Sequence, residues 1–524
     1  MIPKEHGCQG FMTRPYRMKR LKSYTNKYTK DRTKPLYDAN VASVLKAQGF
    51  CIEETPRSIY TAEKLYEALE TYNPRGNHVI HKDGHYASGF RMAYKAFARP
   101  KSQPKLDVLP FDANTIQMIT SNPSGSPGLT NYGCTKAESM TRALERGIQT
   151  LKGEKQPEPC LAFARTQFNE KTRLVWGYPY SMTAIEGLLA YPLNQHFKTH
   201  NTPMAYAKTS VDLGTRLRVS SYHKEWCYSL DMSQFDATLC SDIINDAFKI
   251  LRTWFDLEQI EPVSGVSVRE ILSVIRHYFI NTTIVMPDQH IYIGKNHGVP
   301  SGSYFTQMID SVCNCIIAGT ISSKFSLNIQ LEDLFILGDD IVFWSNRKVS
   351  LDSISRYAGV QLGVKLHGQE KSNIYHYDED IHFLGRDWMN GLPSLDENGI
   401  LSRMVFPESY RKYSRDPNVR QREVRMLILS YVAQYRNAWR IATSYFRPEL
   451  IWFKNGTSDI SYVTYADKAM YEGDLDPNFV SGLQRYKMIY QADSMLTDPK
   501  AKRLSAYLCE AYKPYPDPAT QYWL

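Results

Sequence analysis

No apolar run in this sequence reaches the roughly 18 residues that a membrane-crossing helix needs; the longest are broken by Gly338, Asp339 and Asp340 or by Asn314. Cysteine is sparse and scattered. The nine residues, at positions 8, 51, 134, 160, 227, 240, 313, 315 and 509, include no CxxC pair. That pattern excludes a disulfide framework and a zinc knuckle, and it fits a reducing compartment. No repeat of roughly 20–50 residues occurs, which sets aside solenoids and propellers. The N-terminus is basic without the apolar stretch of a secretory signal. Helicase P-loop, protease-triad and methyltransferase signatures are missing too, so a single activity is expected. What remains is a chain of 524 residues, 43% hydrophobic and 22% charged. That is ordinary for a soluble, intracellular-type protein and long enough for about two to four domain-sized units.

Charge is unevenly placed. Lys and Arg number 63 against 54 Asp and Glu, for a net +9. Residues 1–36 hold ten basic side chains and two acids, a local +8 that leaves the remaining 488 residues near +1. A basic leader on a nearly neutral body points to a polyanion, because each neutralised phosphate releases counterions. A solvated arm explains the charge equally well. Tyr16, Tyr24 and Tyr28, interleaved with the basic residues, tilt the reading toward nucleic acid, since their rings can stack on bases. His78, His81 and His85 have a spacing that could hold a metal, but with no cysteine nearby, capping or exposed histidines are the favoured reading.

Along the chain, Ser121–Gly128 is a loop by composition. Residues 136–152 read as a helix, as do 181–198, the latter bent or interrupted at Pro192. From Tyr228 the pattern runs strand, helix, strand, helix, strand, strand, which predicts an α+β domain. Thr282–Met286 and His290–Ile293 flank Pro287-Asp288 as a hairpin. Beyond about residue 405 strand signals fade, and Arg422–Phe446 has helical amphipathic spacing through Leu427, Tyr431, Tyr435 and Trp439.

Three constellations carry chemistry. In Ser229-Leu230-Asp231-Met232-Ser233-Gln234-Phe235-Asp236 a strand ends in one carboxylate and a second follows five residues later. In Ile336-Leu337-Gly338-Asp339-Asp340-Ile341-Val342-Phe343 a tight turn between apolar strands presents two carboxylates. Two anions roughly 4 Å apart repel by about 4 kcal/mol at an effective dielectric near 20. Such a pair calls for cations, and hard oxygen ligands favour magnesium or manganese. In Gly298-Val299-Pro300-Ser301-Gly302-Ser303-Tyr304-Phe305-Thr306 a glycine-containing loop opens a helix on which Thr306, Asp310, Cys313 and Asn314 share one side. Each has a plainer reading alone: an N-cap, an exposed acidic turn, a capped core helix.

Together and in this order, the three segments resemble the palm of viral RNA-dependent RNA polymerases. The wording LDMSQFDAT, GVPSGSYFTQMIDSVCN and LGDDIVF is most similar to the partitiviruses, whose genome is bisegmented double-stranded RNA, and to their gammapartitivirus and cryspovirus types. The resemblance covers Ser121 to Trp388, about half the chain. It implies an α+β, closed right hand. Residues 1–60 would be a basic segment bridging subdomains, 61–180 fingers and 181–260 the first part of the palm. Residues 261–297 would be a fingers insertion, 298–404 the rest of the palm, and 405–524 a helical thumb with an aromatic tail at Tyr507–Leu524.

The resemblance also implies roles. Asp231, Asp339 and Asp340, with the Met232 carbonyl, would hold two Mg²⁺ ions, for which Mn²⁺ could substitute. Arg165, Lys171 and Arg173 would clamp the NTP phosphates. Asp236, Asn314, Thr306, Ser301 and Gly302 would surround the ribose. Lys371, in Gly368-Gln369-Glu370-Lys371, would be the general acid, although Lys365 lies close by. Ser124, Gly125 and Pro127 would belong to the template-entrance loop, and His382–Trp388 to a primer-gripping hairpin in which Gly385 replaces a common lysine. RNA template and product, NTPs and a viral capsid protein are the implied partners, with no membrane. The implied locations are the particle interior and the host cytoplasm. The rivals are a reverse transcriptase and a non-enzymatic RNA-binding protein. Against the first, Asp236 stands where reverse transcriptases carry a bulky ring; the second leaves the GDD and SGxxxT segments unexplained.

Overall fold

A computed structural model describes residues 10–53, 57–168, 171–206, 208, 210–368, 371–389, 392–408 and 410–417, and beyond these residues 420, 421, 424, 427 and 428. Most of the expected helix Arg422–Phe446, the aromatic tail Tyr507–Leu524, and Gln369 and Glu370 lie outside the described residues.

In chain order the first seven strands are β1 (Met12–Pro15), β2 (Cys160–Thr166), β3 (Thr172–Gly177), β4 (Trp226–Leu230), β5 (Met232–Ser233), β6 (Ile284–Val285) and β7 (His290–Ile293). There follow β8 (Leu334–Leu337), β9 (Asp340–Ser345), β10 (Lys365–Leu366), β11 (Asn373–His376), β12 (Ile381–Phe383), β13 (Arg386–Met389) and β14 (Leu392–Ser394). One sheet runs β1-β7-β6-β2-β3 and a second β11-β4-β9-β8, with smaller sheets β10-β5 and β12-β13-β14. The expected hairpins form at β6–β7, β8–β9 and β12–β13.

The second sheet is apolar on both faces because both are covered. Tyr228, Leu230, Leu334, Ile336, Ile341 and Phe343 join the main core. The alternate residues Cys227, Phe335, Val342 and Trp344 pack instead with Leu213 and Leu217 of the helix Ser210–Ser221. This two-residue alternation explains why the strands read as continuous hydrophobic runs. Against the main-core face lies the helix Thr306–Phe325, buried without interruption from Met308 to Ser322.

Two expectations are corrected. Of the two readings at Pro192, a bend or an interruption, the second is ruled out, because the helix Tyr180–Thr199 runs through it. A proline removes the N–H that would bond to the carbonyl four residues back; here the Leu188 carbonyl is met by the Leu109 backbone N–H at 3.2 Å, so the orphan is satisfied from outside. Nor are Tyr24 and Tyr28 platforms for bases. Four residues apart on the helix Lys22–Tyr28, both face inward. Tyr24 is fully buried and donates to the Ala162 carbonyl at 2.7 Å, and Tyr28 packs on Tyr60 and Phe163. Lys22 and Lys27 occupy the exposed side. The N-terminal segment thus serves as a brace, with β1 pairing along β7 and Arg20 reaching the Leu129 carbonyl.

Among the described residues, no three His, Cys, Asp or Glu side chains already converge as a ligand set without a cation to draw them together, and His85 of the histidine trio meets Ser323 instead. No helix among them is long and apolar enough to cross a membrane.

Candidate active site

Strand pairing brings the distant carboxylates together. Leu230 pairs with Ile341 and Leu337 with Asp340, so Asp231, just past β4, leaves the sheet beside the Gly338-Asp339 turn. Gly338 has φ +65° as the first central residue of this two-residue turn, a conformation that favours glycine. Asp231 is fixed through its backbone: its N–H donates to Ser372 Oγ at 3.0 Å and its carbonyl accepts from His367 N at 2.9 Å. His367 Nε2 also stands 3.5 Å from Asp231 Oδ1. Asp236 follows on the short helix Phe235–Thr238, and its backbone carbonyl accepts from Val299 N at 2.6 Å.

These residues open on one cleft of about 910 Å³. Asp231, Met232, Asp236, Asp339 and Asp340 line one part of it; Arg165, Lys171, Arg173 and Lys371 add positive charge; and His382, Phe383 and Gly385 come from the β12–β13 hairpin. Arg173 Nη2 lies 3.8 Å from Asp339 Oδ2. Arg165 is paired across the strands with Arg173, and its guanidinium is held by Glu408 at 2.6 and 3.0 Å. Lys371, rather than Lys365, faces the cleft; Lys365 pairs with Ser233 and is exposed.

The acids are electrostatically crowded. Burial, then the charges of Asp339 and Asp231, pushes Asp340 up to about 7, with Arg173 pulling the other way. Burial and Asp339 raise Asp236 to about 6, again against Arg173. Lys171 is lowered by burial and by the neighbouring Lys371. Charges that raise one another's proton affinity and lie on an open cleft fit a hard divalent cation, which would relieve the repulsion.

The remaining predicted residues stand outside the walls of the cleft. Ser301 Oγ accepts from Trp176 N at 3.2 Å, tying the loop to β3. Gly302 is pressed so closely against that strand that a Cβ would lie 1.9 Å from the Trp176 carbonyl oxygen. Thr306 Oγ1 donates to the Pro300 and Ser303 carbonyls at 2.8 and 2.9 Å. Asn314 is fully buried, and its Nδ2 donates to the Gly338 and Asp339 carbonyls at 3.1 and 3.2 Å. It therefore holds the acidic turn from behind. Ser124, Gly125 and Pro127 form a separate loop, in which Ser124 and Gly125 bond to Asn122, and the Pro127 carbonyl accepts from Tyr180 N.

Three contributors were missing from the predicted set. Asp310, one helical turn before Asn314, is buried and pushed well above the usual carboxylate range, first by burial and then by Asp236 and Asp339. Among the described residues, Asp310 Oδ1 and Asn314 Oδ1 have no hydrogen-bond partner. The polar stripe on the helix was the signal for Asp310. Glu186, fully buried, accepts from Ser303 Oγ and from Tyr304 N at 2.7 Å, and so anchors the Ser-Gly loop. A lone acid in the apolar run around Glu186 was its only mark. Lys295, also buried, donates to the Phe279, Ile280 and Gly298 carbonyls at 2.8–2.9 Å. Nothing local in the sequence marks it.

The family model described as viral RNA-dependent RNA polymerase matches residues 167–440. The RNA-directed RNA polymerase of Cryptosporidium parvum virus 1 (strain KSU-1) is 30% identical over 279 residues, which are 48% of this chain and 50% of that protein. That of Atkinsonella hypoxylon virus (isolate 2H) is 27% identical over 352 residues, 57% of this chain and 50% of the relative. The chain thus spans about half the length of the curated relatives it matches. Among solved structures, the RNA-dependent RNA polymerase of a human picobirnavirus superposes with TM-score 0.62 at 14% identity, covering 94% of this chain and 96% of the other. Its insertion-loop deletion mutant gives 0.63 at 13%, covering 89% and 96%. At that identity the likeness establishes the polymerase fold.

Proposed function

Because the chain belongs to the viral RNA-dependent RNA polymerase family, whose model covers just over half of it, we propose that it is an RNA-directed RNA polymerase transcribing and replicating a viral double-stranded RNA genome. The observation that carries this reading is the convergence of Asp231 and the Gly338-Asp339-Asp340 turn with Arg173, Lys171 and Lys371 on one cleft. On this reading residues 61–180 and 261–297 are fingers, 181–260 and 298–404 palm, and 405–524 thumb.

The reaction joins the 3′-oxygen of the growing strand to the α-phosphorus of an NTP and breaks the bond to the β-phosphate, releasing pyrophosphate. Asp231, Asp339 and Asp340, with the Met232 carbonyl, would hold two divalent cations, Mg²⁺ or Mn²⁺. Bound there, such ions acidify the attacking hydroxyl and neutralise phosphate charge. Arg173, Lys171 and Arg165 align the triphosphate for in-line attack. Lys371 delivers a proton to the departing pyrophosphate. Asn314 gives its Nδ2 to the turn but keeps its Oδ1 without a partner among the described residues, so Asp236, Asp310 and Asn314 Oδ1 are the groups proposed to read the ribose 2′-hydroxyl. A site built around that hydroxyl leaves buried polar groups unpaired when a deoxynucleotide enters. The base is chosen by pairing with the template. The same reading places the enzyme with capsid protein in the particle interior, within the host cytoplasm.

The test is templated incorporation of labelled rNTPs and dNTPs with Mg²⁺ or Mn²⁺, run beside Asp339→Asn. RNA product from the parent, none from the variant and little from dNTPs is expected. Equal use of dNTPs would favour a reverse transcriptase, and product from the variant would refute the assignment of the carboxylates.

A further inference from the structure

A second hollow, of about 500 Å³, lies between the helices Ser241–Leu251 and Val268–Ile280 and shares no wall residue with the catalytic cleft. Phe248, Leu257 and Leu272 supply apolar walls, while Lys82, Lys249, Arg252, Arg269 and Arg276 surround it with positive charge. The acids here are already engaged. Asp246 takes Lys82 and Lys249, each at 2.7 Å. Asp242 stands 4.0 Å from Lys82, and Glu258 pairs with Arg269. Five bases thus meet three carboxylates. Among the described residues, Arg252 and Arg276 have no carboxylate within ion-pair distance, yet both are exposed at the rim. Arg276 is oriented in advance by Asn245 Oδ1, which accepts from its Nη1 at 2.7 Å.

From this geometry we infer a second, non-catalytic binding site for phosphate groups. Surplus charge in a concave, partly apolar wall concentrates anions, and planar guanidinium groups match phosphate oxygens in pairs. The phosphate can belong to a second stretch of RNA backbone or to a free polyphosphate. The RNA alternative rests on the polymerase reading above and extends it: the enzyme would hold a strand away from the cleft while copying in it.

The experiment compares the parent with Arg252→Gln/Arg276→Gln, each stalled on a first primer–template so that the cleft is filled. Binding of a second labelled oligoribonucleotide is followed from about 50 to 200 mM salt, with a parallel arm using tripolyphosphate. Loss of second-oligonucleotide affinity by tenfold or more is expected, with a salt slope lower by about 1.4 for two lost contacts to single-stranded phosphate. Elongation of the first strand should continue unchanged. Loss confined to tripolyphosphate would assign the site to the free anion. Unchanged affinity and slope for both probes in a normally folded variant would overturn the inference. If no stalled complex can be formed, it is the polymerase reading that fails, and both probes are then titrated on free protein with the same criteria.

Discussion

The Ser-Gly loop hangs on a carboxylate that burial keeps protonated, and Glu186→Gln exposes the consequence. Burial pushes Glu186 from an ordinary 4.5 to about 8, although the Tyr304 N–H and the Ser303 hydroxyl pull it back. Between these values the folded protein keeps its proton while the unfolded chain has released it. The unfolded state then binds fewer protons, so this group erodes stability as pH rises, by about 1.4 kcal/mol per pH unit and by up to about 5 kcal/mol across the window. Glutamine has nearly the same shape and no proton to lose. The expected outcome is a stability advantage of the Gln variant that is small at pH 5, grows by about 1.4 kcal/mol per unit to pH 8, and then levels. Urea unfolding of parent and variant at pH 5 to 9 measures it, and taking the difference removes every other titrating group. Parallel curves between pH 5 and 8 would refute the reasoning, as would a variant that falls behind as pH rises. Glu186→Ala provides the contrast: it too has no proton to lose, but it strands the Ser303 hydroxyl and the Tyr304 N–H, so it should lie about 2–4 kcal/mol below the Gln variant at every pH.

Asn314→Ala removes both bonds to the Gly338 and Asp339 carbonyls; it should cost about 1–3 kcal/mol in unfolding and slow nucleotide incorporation at least tenfold. Gly302→Ala drives a methyl into the Trp176 backbone and should destabilise by about 3 kcal/mol or more in the same urea assay. Gly84→Ala, with nothing within 4 Å, should be neutral or slightly stabilising. Glu408→Gln loosens the guanidinium of Arg165. Steady-state kinetics should show the NTP KM raised several-fold with kcat nearly unchanged, and melting should shift little, because an exposed ion pair is worth about 1 kcal/mol or less.

The sequence by itself determined the hairpins and loops that carry the acidic residues, and which residue types they carry. Continuous apolar runs on both sides of Gly338-Asp339-Asp340 favour a hairpin with its acids at the tip, and a glycine at the first turn position makes that turn tight. The same local logic yielded β6–β7, the loop at Ser121–Gly128 and the helix opening at Thr306. These features depend on residues within a few positions of one another, so a linear reading captures them.

Only the tertiary structure decided what each polar side chain faces. Asn314 and Asp310 lie one turn apart on the same stripe, yet the amide nitrogen of one is taken by the turn's carbonyls while the carboxyl of the other is left beside Asp236. The tyrosines among the N-terminal basic residues became core because Ala162 and Phe163, more than a hundred positions away, pack against them. Pro192 stays inside its helix because Leu109 supplies the missing donor. Glu186 is marked only as a lone acid in an apolar run, and its partners Ser303 and Tyr304 come from more than a hundred positions away; Lys295 is buried by reaching the end of the helix Val268–Ile280 as well as the nearby Gly298. Hydrogen bonding and desolvation act through space, and chain order does not encode which groups space will join.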